Sequence, residues 1–406
     1  MHKEAGERRD FLPDFVRGVA PHAAAVVAES GIGSGMGFAD EGYAASPRTL
    51  LSTHDDAYRQ DVVLVLRAPE DAELRLLRPG ATLVSMLHFP TRPERVRRLR
   101  ELGVDAVSLD SLADDAGRRL VEDARSVAWN GLDVAFGELE RRRPDFWDPR
   151  RPPIRVSILG AGAVGREAVE AATKYGDPVR FARTEAADLP GVEVVTMGRN
   201  LSRNADYLRN RMRDTDILVD AAARHDPSRP LVPNGWIGLL PPYAVICDLA
   251  VDCYERVAYR PVVRGIEGIP AGNLDRQVIE PGDPEWDASL PPDVPSRCRR
   301  VVVSCYSWPG IRPRACMELY GEQLAPLMVE LLDRHGLDGL RPATSALDRT
   351  LLRASLRPQP AQVIRTRVSR RARPAPARAV TARAGSAPGG PGRRRAVRAA
   401  PAGSPR

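Results

Sequence analysis

The sequence has no long apolar run. No stretch approaches the ~18 apolar residues that a membrane span requires, and the N-terminus, MHKEAGERRD, is charged from its third residue without the apolar core of a signal peptide. A soluble, cytoplasmic protein with no membrane partner is expected. Cysteine is scarce. The five cysteines (Cys247, Cys253, Cys298, Cys305, Cys316) are odd in number and lack a C-x-x-C pair, which argues for reduced thiols and against a disulfide framework. No cluster of metal-ligand type and no Ser-His-Asp arrangement is apparent, so no metal is expected. Lysine is nearly absent, with arginine in its place almost everywhere, as a G+C-rich coding bias produces.

What is present describes a sizeable globular protein. The 406 residues, 43% of them apolar, suffice for two domains with full cores. The net charge of +7 would suggest a polyanion-binding protein, but fifteen arginines and no acid follow Asp348. Without them 45 basic residues face 53 acidic ones, a net of −8. The folded part is mildly acidic, and no nucleic-acid partner is expected.

Between residues 24 and 112 apolar strands (AAAVVAES, DVVLVLRAP, ATLVSMLH, VDAVSLDSL) alternate with helical segments, a rhythm that predicts a parallel sheet. A long amphipathic stretch beginning at Asp114 reads as an interdomain helix, ended by PDFWDPRRPP. Six strand candidates follow: VSILGAG, PVRFAR, VEVVTMG, DILVDAA, AVICDLAVD and RVVVSCYSW. The fold class is therefore α/β, two doubly wound parallel-sheet domains of which the second is a Rossmann domain. The expected divisions are a substrate domain over 1–124 and a dinucleotide-binding domain over 125–310. A C-terminal helix over 311–345 returns to the first domain, and a disordered basic tail covers 357–406.

Gly160-Ala161-Gly162-Ala163-Val164-Gly165 lies after an apolar strand and opens a helix. Gly160 serves the tight turn, Gly162 the approach of a pyrophosphate, and Gly165 close helix–strand packing, while Ala163 and Val164 begin the helix whose N-terminus faces the phosphates. The acid that would hold the ribose hydroxyls is due ~20 residues on. PVRFAR, read as the second strand, ends there on Arg183, which can take a ribose phosphate and so favours NADP(H) over NAD(H).

Several motifs point one way. Arg67 stands two residues before Pro69, followed by Glu73, Leu77-Arg78-Pro79-Gly80 and Leu87-His88, with His88 21 positions after Arg67. ERRDFLP, ESGIGSGMGFADEGY and DLAVD accompany them. With these the chain resembles the alanine dehydrogenase and transhydrogenase alpha-subunit family over roughly residues 3 to 335. The resemblance implies that Arg8 binds the substrate carboxylate, that Arg67 replaces the family's lysine, that His88 is the catalytic histidine, and that Asp252 faces the ligand crevice. GERR, KYGDPVR, DPSRPLV and PGIRPR look closer to the carboxyethyl-ornithine synthases within it.

Two departures stand out. An arginine holds a carboxylate but does not shuttle a proton. The family also has a strand ahead of its K-E motif, whereas this chain begins MHKE, so that either its start is miscalled or the sheet lacks a strand. The resemblance implies an NAD(P)H-dependent oxidoreductase acting on the C–N bond of an amino acid. Its substrates would be a 2-oxo acid such as pyruvate and ammonia or a basic amino acid, and it would be a homo-oligomer. The competing readings are a catalytically decayed nucleotide-binding paralogue and a soluble transhydrogenase alpha-type subunit.

Overall fold

The computed structural model describes residues 6–46, 48–224, 226–255 and 261–357. Beyond Arg357 the expected basic tail lies outside the described residues. Strands run at Val26–Glu29 (β1), Thr49–Ser52 (β2), Val62–Arg67 (β3), Thr82–Met86 (β4), Asp105–Ser108 (β5), Ile154–Leu159 (β6), Val192–Met197 (β7), Ile217–Asp220 (β8), Val245–Asp248 (β9), Val278–Ile279 (β10), Val301–Ser304 (β11) and Ser355–Leu356 (β12). Helices of seven or more residues are Pro13–Val19 (α1), Pro93–Leu102 (α2), Ala124–Arg142 (α3), Ala163–Thr173 (α4), Pro178–Ala186 (α5), Ala205–Met212 (α6), Pro313–Asp333 (α7) and Ala346–Arg353 (α8).

The second lobe is one six-stranded sheet in the order β10-β11-β9-β8-β6-β7, parallel except at the edge strand β10. β8, β9 and β11 are buried along their whole length, as parallel strands covered on both faces must be. The chain crosses from β7 on one side of β6 to β8 on the other, and such a reversal opens a crevice at the carboxyl ends of the strands.

PVRFAR is not a strand but helix α5. Asp177 accepts the Arg180 N–H at 2.8 Å and Pro178 occupies the first turn, a start signal stronger than the local alternation of apolar residues. β7 takes the second-strand place instead, paired with β6 from Ile154↔Val192 to Leu159↔Met197. The amphipathic stretch from Asp114 is helical only from Ala124. Gly117, at φ 76°, and the Asp114 carboxylate, which accepts the Ala116 and Arg118 N–H groups at 2.9 Å, turn the chain first. Asp123 then caps α3 by accepting the Ser126 N–H at 3.0 Å. Ala128, Leu132, Ala135, Phe136 and Leu139 bury α3 in the core of the second lobe.

The first lobe differs from the single parallel sheet expected. β3, β4 and β5 are parallel neighbours and β12 pairs antiparallel with β5, while β1 and β2 form a separate parallel pair. A cavity of about 600 Å3 is lined by Val26–Glu29 of β1 and Val62–Leu66 of β3, and among the described residues no strand pairs with both. Helix α7 returns to this lobe. Cys316, Met317, Tyr320, Leu324, Met328 and Leu331 join Phe11, Phe15, Val84 and Val107 in one buried cluster, each large side chain contributing about 1.5–3 kcal/mol of burial.

Candidate active site

A cleft of about 1140 Å3 lies along the glycine turn. Gly160 has φ 105°, and a Cβ there would meet Ala221 O at 2.4 Å; one at Gly165 would meet Gly160 O at 2.2 Å. These two glycines are required by the fold. A Cβ at Gly162 would meet nothing within 4 Å. Gly162 is the N-cap residue of α4 with no side-chain cap, so the first-turn N–H groups after it open on free space suited to a pyrophosphate. Ala163 and Val164 line the same cleft.

Arg183 does not. It sits on α5 with its guanidinium over the Trp147 ring, 4.4 Å from the centroid, because the segment is a helix that packs beside α3 rather than a strand ending at the crevice. The end of β7 presents Gly198, Arg199 and Arg203 to the cleft. Among the described residues neither arginine forms an ion pair, and no acid of the β7 end lines the cleft.

A second cavity, of about 260 Å3, lies between the lobes and is lined by Arg67, His88 and Asp252. Arg8 is absent from it. Its side chain is 54% exposed and pairs with Asp275 at 3.3 Å, whereas its neighbour Arg9 is buried and lines the cavity. Arg9 donates to Glu7 Oε2 at 2.7 Å, Glu7 Oε1 at 2.8 Å and Ser307 Oγ at 2.7 Å. Burial alone would raise the Glu7 carboxyl; the hydrogen bonds and charge of Arg9, helped by Arg67, hold it below its usual range. The residue that reaches this cavity is therefore Arg9, held in a buried ion pair, and not Arg8.

His88 follows β4 in a left-handed conformation, φ 51°, sparsely populated for residues other than glycine. The end of β5 fixes it there. Ser108 Oγ accepts the Leu87 N–H at 3.2 Å and donates to Asp110 Oδ1 at 2.7 Å, and the same oxygen accepts the His88 N–H at 3.0 Å. Asp110 Oδ2 is 3.6 Å from Nδ1. The ring is 43% exposed to the cavity but sits deep in a concavity. Desolvation pulls it down to about 4, with Asp110 opposing and Arg67, Arg92 and Arg95 adding to the fall. At pH 7 the imidazole is thus held neutral.

Asp252 is positioned by the turn after β9, where Val251, with φ 47°, donates its N–H to Asp248 Oδ1 at 2.8 Å. A β-branched residue in the left-handed region is strained, and strain of this kind collects at functional sites. Arg224 donates to Asp252 Oδ2 from two nitrogens. Behind the turn, Asp248 pairs with Arg264 at 2.9 Å and its carbonyl accepts the Trp308 indole N–H at 2.9 Å.

Arg92, Arg95, Arg119 and Tyr306 also line the cavity and were not legible as site residues. Arg92 and Arg95 resemble the solvated face of an arginine-studded helix. Arg119 lines both the cavity and the glycine-turn cleft, so that the two are neighbours. Among the described residues no three His, Cys, Asp or Glu side chains form a metal site, and no helix is long and apolar enough to cross a membrane.

The model of the N-terminal domain of alanine dehydrogenase/PNT matches residues 2–122, and that of the C-terminal domain matches residues 149–258. The chain belongs to the alanine dehydrogenase/PNT family. Among relatives within it, the alanine dehydrogenase of Halomonas elongata is 24% identical over 264 residues, 60% of this chain and 70% of that protein. The NAD(P) transhydrogenase subunit alpha of Cereibacter sphaeroides is 30% identical over 169 residues, 37% of this chain and 30% of that protein. A solved L-alanine dehydrogenase superposes with a TM-score of 0.62 at 21% identity, covering 88% of this chain and 93% of that one, and shares the fold. The alanine dehydrogenase/PNT members named here are nicotinamide-linked redox proteins.

Proposed function

We propose that the protein is an NAD(P)H-dependent oxidoreductase that reductively aminates a 2-oxo acid. The observation that carries this reading is the convergence of Arg9, Arg67, His88 and Asp252 on one cavity that shares Arg119 with the glycine-turn cleft. In the reaction the oxo acid condenses with an amine and loses water, and the C=N bond so formed gains a hydride at carbon and a proton at nitrogen. The reduced nicotinamide supplies the hydride when bound. Arg9 and Arg67 hold the substrate carboxylate by charge-assisted hydrogen bonds. Asp110, 3.6 Å from Nδ1, favours the proton on that nitrogen and leaves Nε2 of His88 to exchange protons with the reacting nitrogen and the departing water.

NADPH is favoured over NADH, because Arg199 and Arg203 stand at the end of β7, where the family of dinucleotide folds keeps an acid for the ribose hydroxyls. As nitrogen donor, ammonia suits the cavity better than a basic amino acid, since five of its lining residues are arginines and a further cation would be repelled. The test is product analysis by mass spectrometry with NADPH, pyruvate or a longer 2-oxo acid, and either ammonia or ornithine. An amino acid formed from ammonia supports the reading. An N-carboxyalkyl product moves the protein to the synthase type, and NADPH binding without any product leaves it a nucleotide-binding paralogue.

A further inference from the structure

The cavity holds more positive charge than one carboxylate needs. Arg9 is answered by Glu7, Arg119 by Glu122 at 3.7 Å, and Asp252 is itself answered by Arg224. Arg92 and Arg95 have no carboxylate in contact. Among the described residues neither lies within ion-pair distance of a carboxylate. Arg92 donates to its neighbour's carbonyl, Thr91 O, at 3.3 Å, and Arg95 to Leu87 O at 2.9 Å.

An arginine carries five N–H donors in a rigid fork matched to a carboxylate. Each of these two keeps most of its donors unspent, while both line the cavity beside His88. The charges are felt. Burial, Arg92 and Arg67 bring Arg95 down to about 10, with Glu255 opposing, and burial also lowers Arg92. Glu255 Oε1 accepts the Glu94 N–H at 3.3 Å, while its buried Oε2 has no hydrogen-bond partner and makes no contact with either arginine. Glu255, Asp252 and Asp110 offset these charges from a distance, but without a carboxylate in contact, partly buried cations kept together are costly unless a ligand supplies one. The volume of 260 Å3, which about nine waters would fill at about 30 Å3 each, leaves room beyond a three-carbon acid.

We infer that Arg92 and Arg95 form a second anion clamp and that the substrate is a 2-oxo dicarboxylic acid, its distal carboxylate held by this pair while Arg9 and Arg67 hold the carboxylate next to the reacting carbon. This inference rests on the reading of the cavity as the site of a reductive amination. It explains why Arg92, the N-cap residue of α2, and Arg95, on its first turn, line the cavity rather than joining Arg97 and Glu101 in the surface ion pairs of that helix. A bound diacid also answers the positive charge that Arg67, Arg92 and Arg95 place on His88.

The test compares oxaloacetate and 2-oxoglutarate with pyruvate, each with ammonia and NADPH, on the full chain and on Arg92→Gln and Arg95→Gln. NADPH fluorescence serves as the control for folding. The expected result is a kcat/KM at least tenfold higher for one of the diacids than for pyruvate, with a ratio that collapses towards one in either variant, mainly through KM. Equal or better use of pyruvate overturns the inference and leaves the amination reading intact, as does an equal loss for mono- and diacids in the variants. If no oxo acid is reduced, calorimetric titration of glutarate against propionate on the NADPH-loaded protein decides. Tighter binding of glutarate that is lost in Arg95→Gln upholds the clamp while the reaction fails; equal binding overturns the clamp.

Discussion

Arg67 and Tyr306 meet across the two lobes, with the guanidinium carbon 4.7 Å from the ring centroid. Arg67 ends β3 in the first lobe and Tyr306 follows β11 in the second. A planar guanidinium can stack on a ring and present its fork sideways to a carboxylate, whereas a lysine ammonium does neither in the same way. Arg67→Lys is expected to raise KM for the 2-oxo acid about fivefold, the loss of a stacked cation being worth about 1 kcal/mol, with a smaller change in kcat. Steady-state kinetics check this, and an unchanged KM would remove Arg67 from the carboxylate clamp.

His88 gives a prediction in pH. In amino-acid oxidation the imidazole must be neutral to accept a proton, and it is neutral above its pKa. Because desolvation and the nearby arginines bring that value down to about 4, kcat/KM for oxidation should show no acid limb from His88 near pH 6.5. Activity should fall only as pH approaches about 4. Arg95→Gln removes one of the depressing charges and should move the limb upward. His88→Ala should lower the rate about 10²- to 10⁴-fold with NADPH binding retained.

The three glycines of the turn should separate by experiment. Gly165→Ala drives a Cβ to 2.2 Å from Gly160 O, and is expected to lower the melting temperature of the apoprotein by several degrees. Gly162→Ala meets nothing within 4 Å, so the apoprotein should melt as the parent does. It should, however, lose most of the stabilisation by added NADPH, because the methyl enters the space of the pyrophosphate. Parallel thermal scans with and without NADPH distinguish the two.

Cofactor preference should follow Arg199 and not Arg183. A charge-assisted hydrogen bond to a ribose phosphate is worth about 1.5–3 kcal/mol, so Arg199→Asp is expected to reduce NADPH affinity about 10- to 100-fold and to favour NADH. Arg183→Asp should leave the ratio as it was and disturb only the stack on Trp147. Nicotinamide fluorescence titrations measure both. A parent protein that binds the two cofactors equally would count against the preference.

How much of this could be read from the residues depended on whether the local signal had a competitor. Gly160, Gly162 and Gly165 were legible because an apolar strand before them and a helix after them leave one arrangement open. Arg183 was misplaced because Val179 and Phe181 alternate like a strand; the Asp177-Pro178 pair was the contrary signal, and Val179 is in fact 68% exposed. Arg8 and Arg9 could not be told apart, since in an extended segment adjacent side chains point to opposite faces and only the buried Glu7 fixes which one turns inward. Arg92 and Arg95 were hidden by their own helix, where charged residues at i and i+3 ordinarily face solvent. The split between β1 and β3 depends on pairing across distant segments, to which local periodicity is blind.

The return of α7 to the first lobe has a bearing on synthesis. Residues 124–310 hold nearly all of the second lobe's core in one continuous stretch, so that part can collapse as soon as it has left the ribosome. The first lobe emerges earlier but must wait, since Met317, Leu324 and Leu331 complete its buried cluster and are translated roughly 200 residues after β5. During that interval the cluster of Phe11, Phe15 and Val107 lacks the side chains of α7, an unfinished apolar surface of the kind chaperones bind. A release of the chain before Asp333 would yield a folded nucleotide lobe attached to an open one.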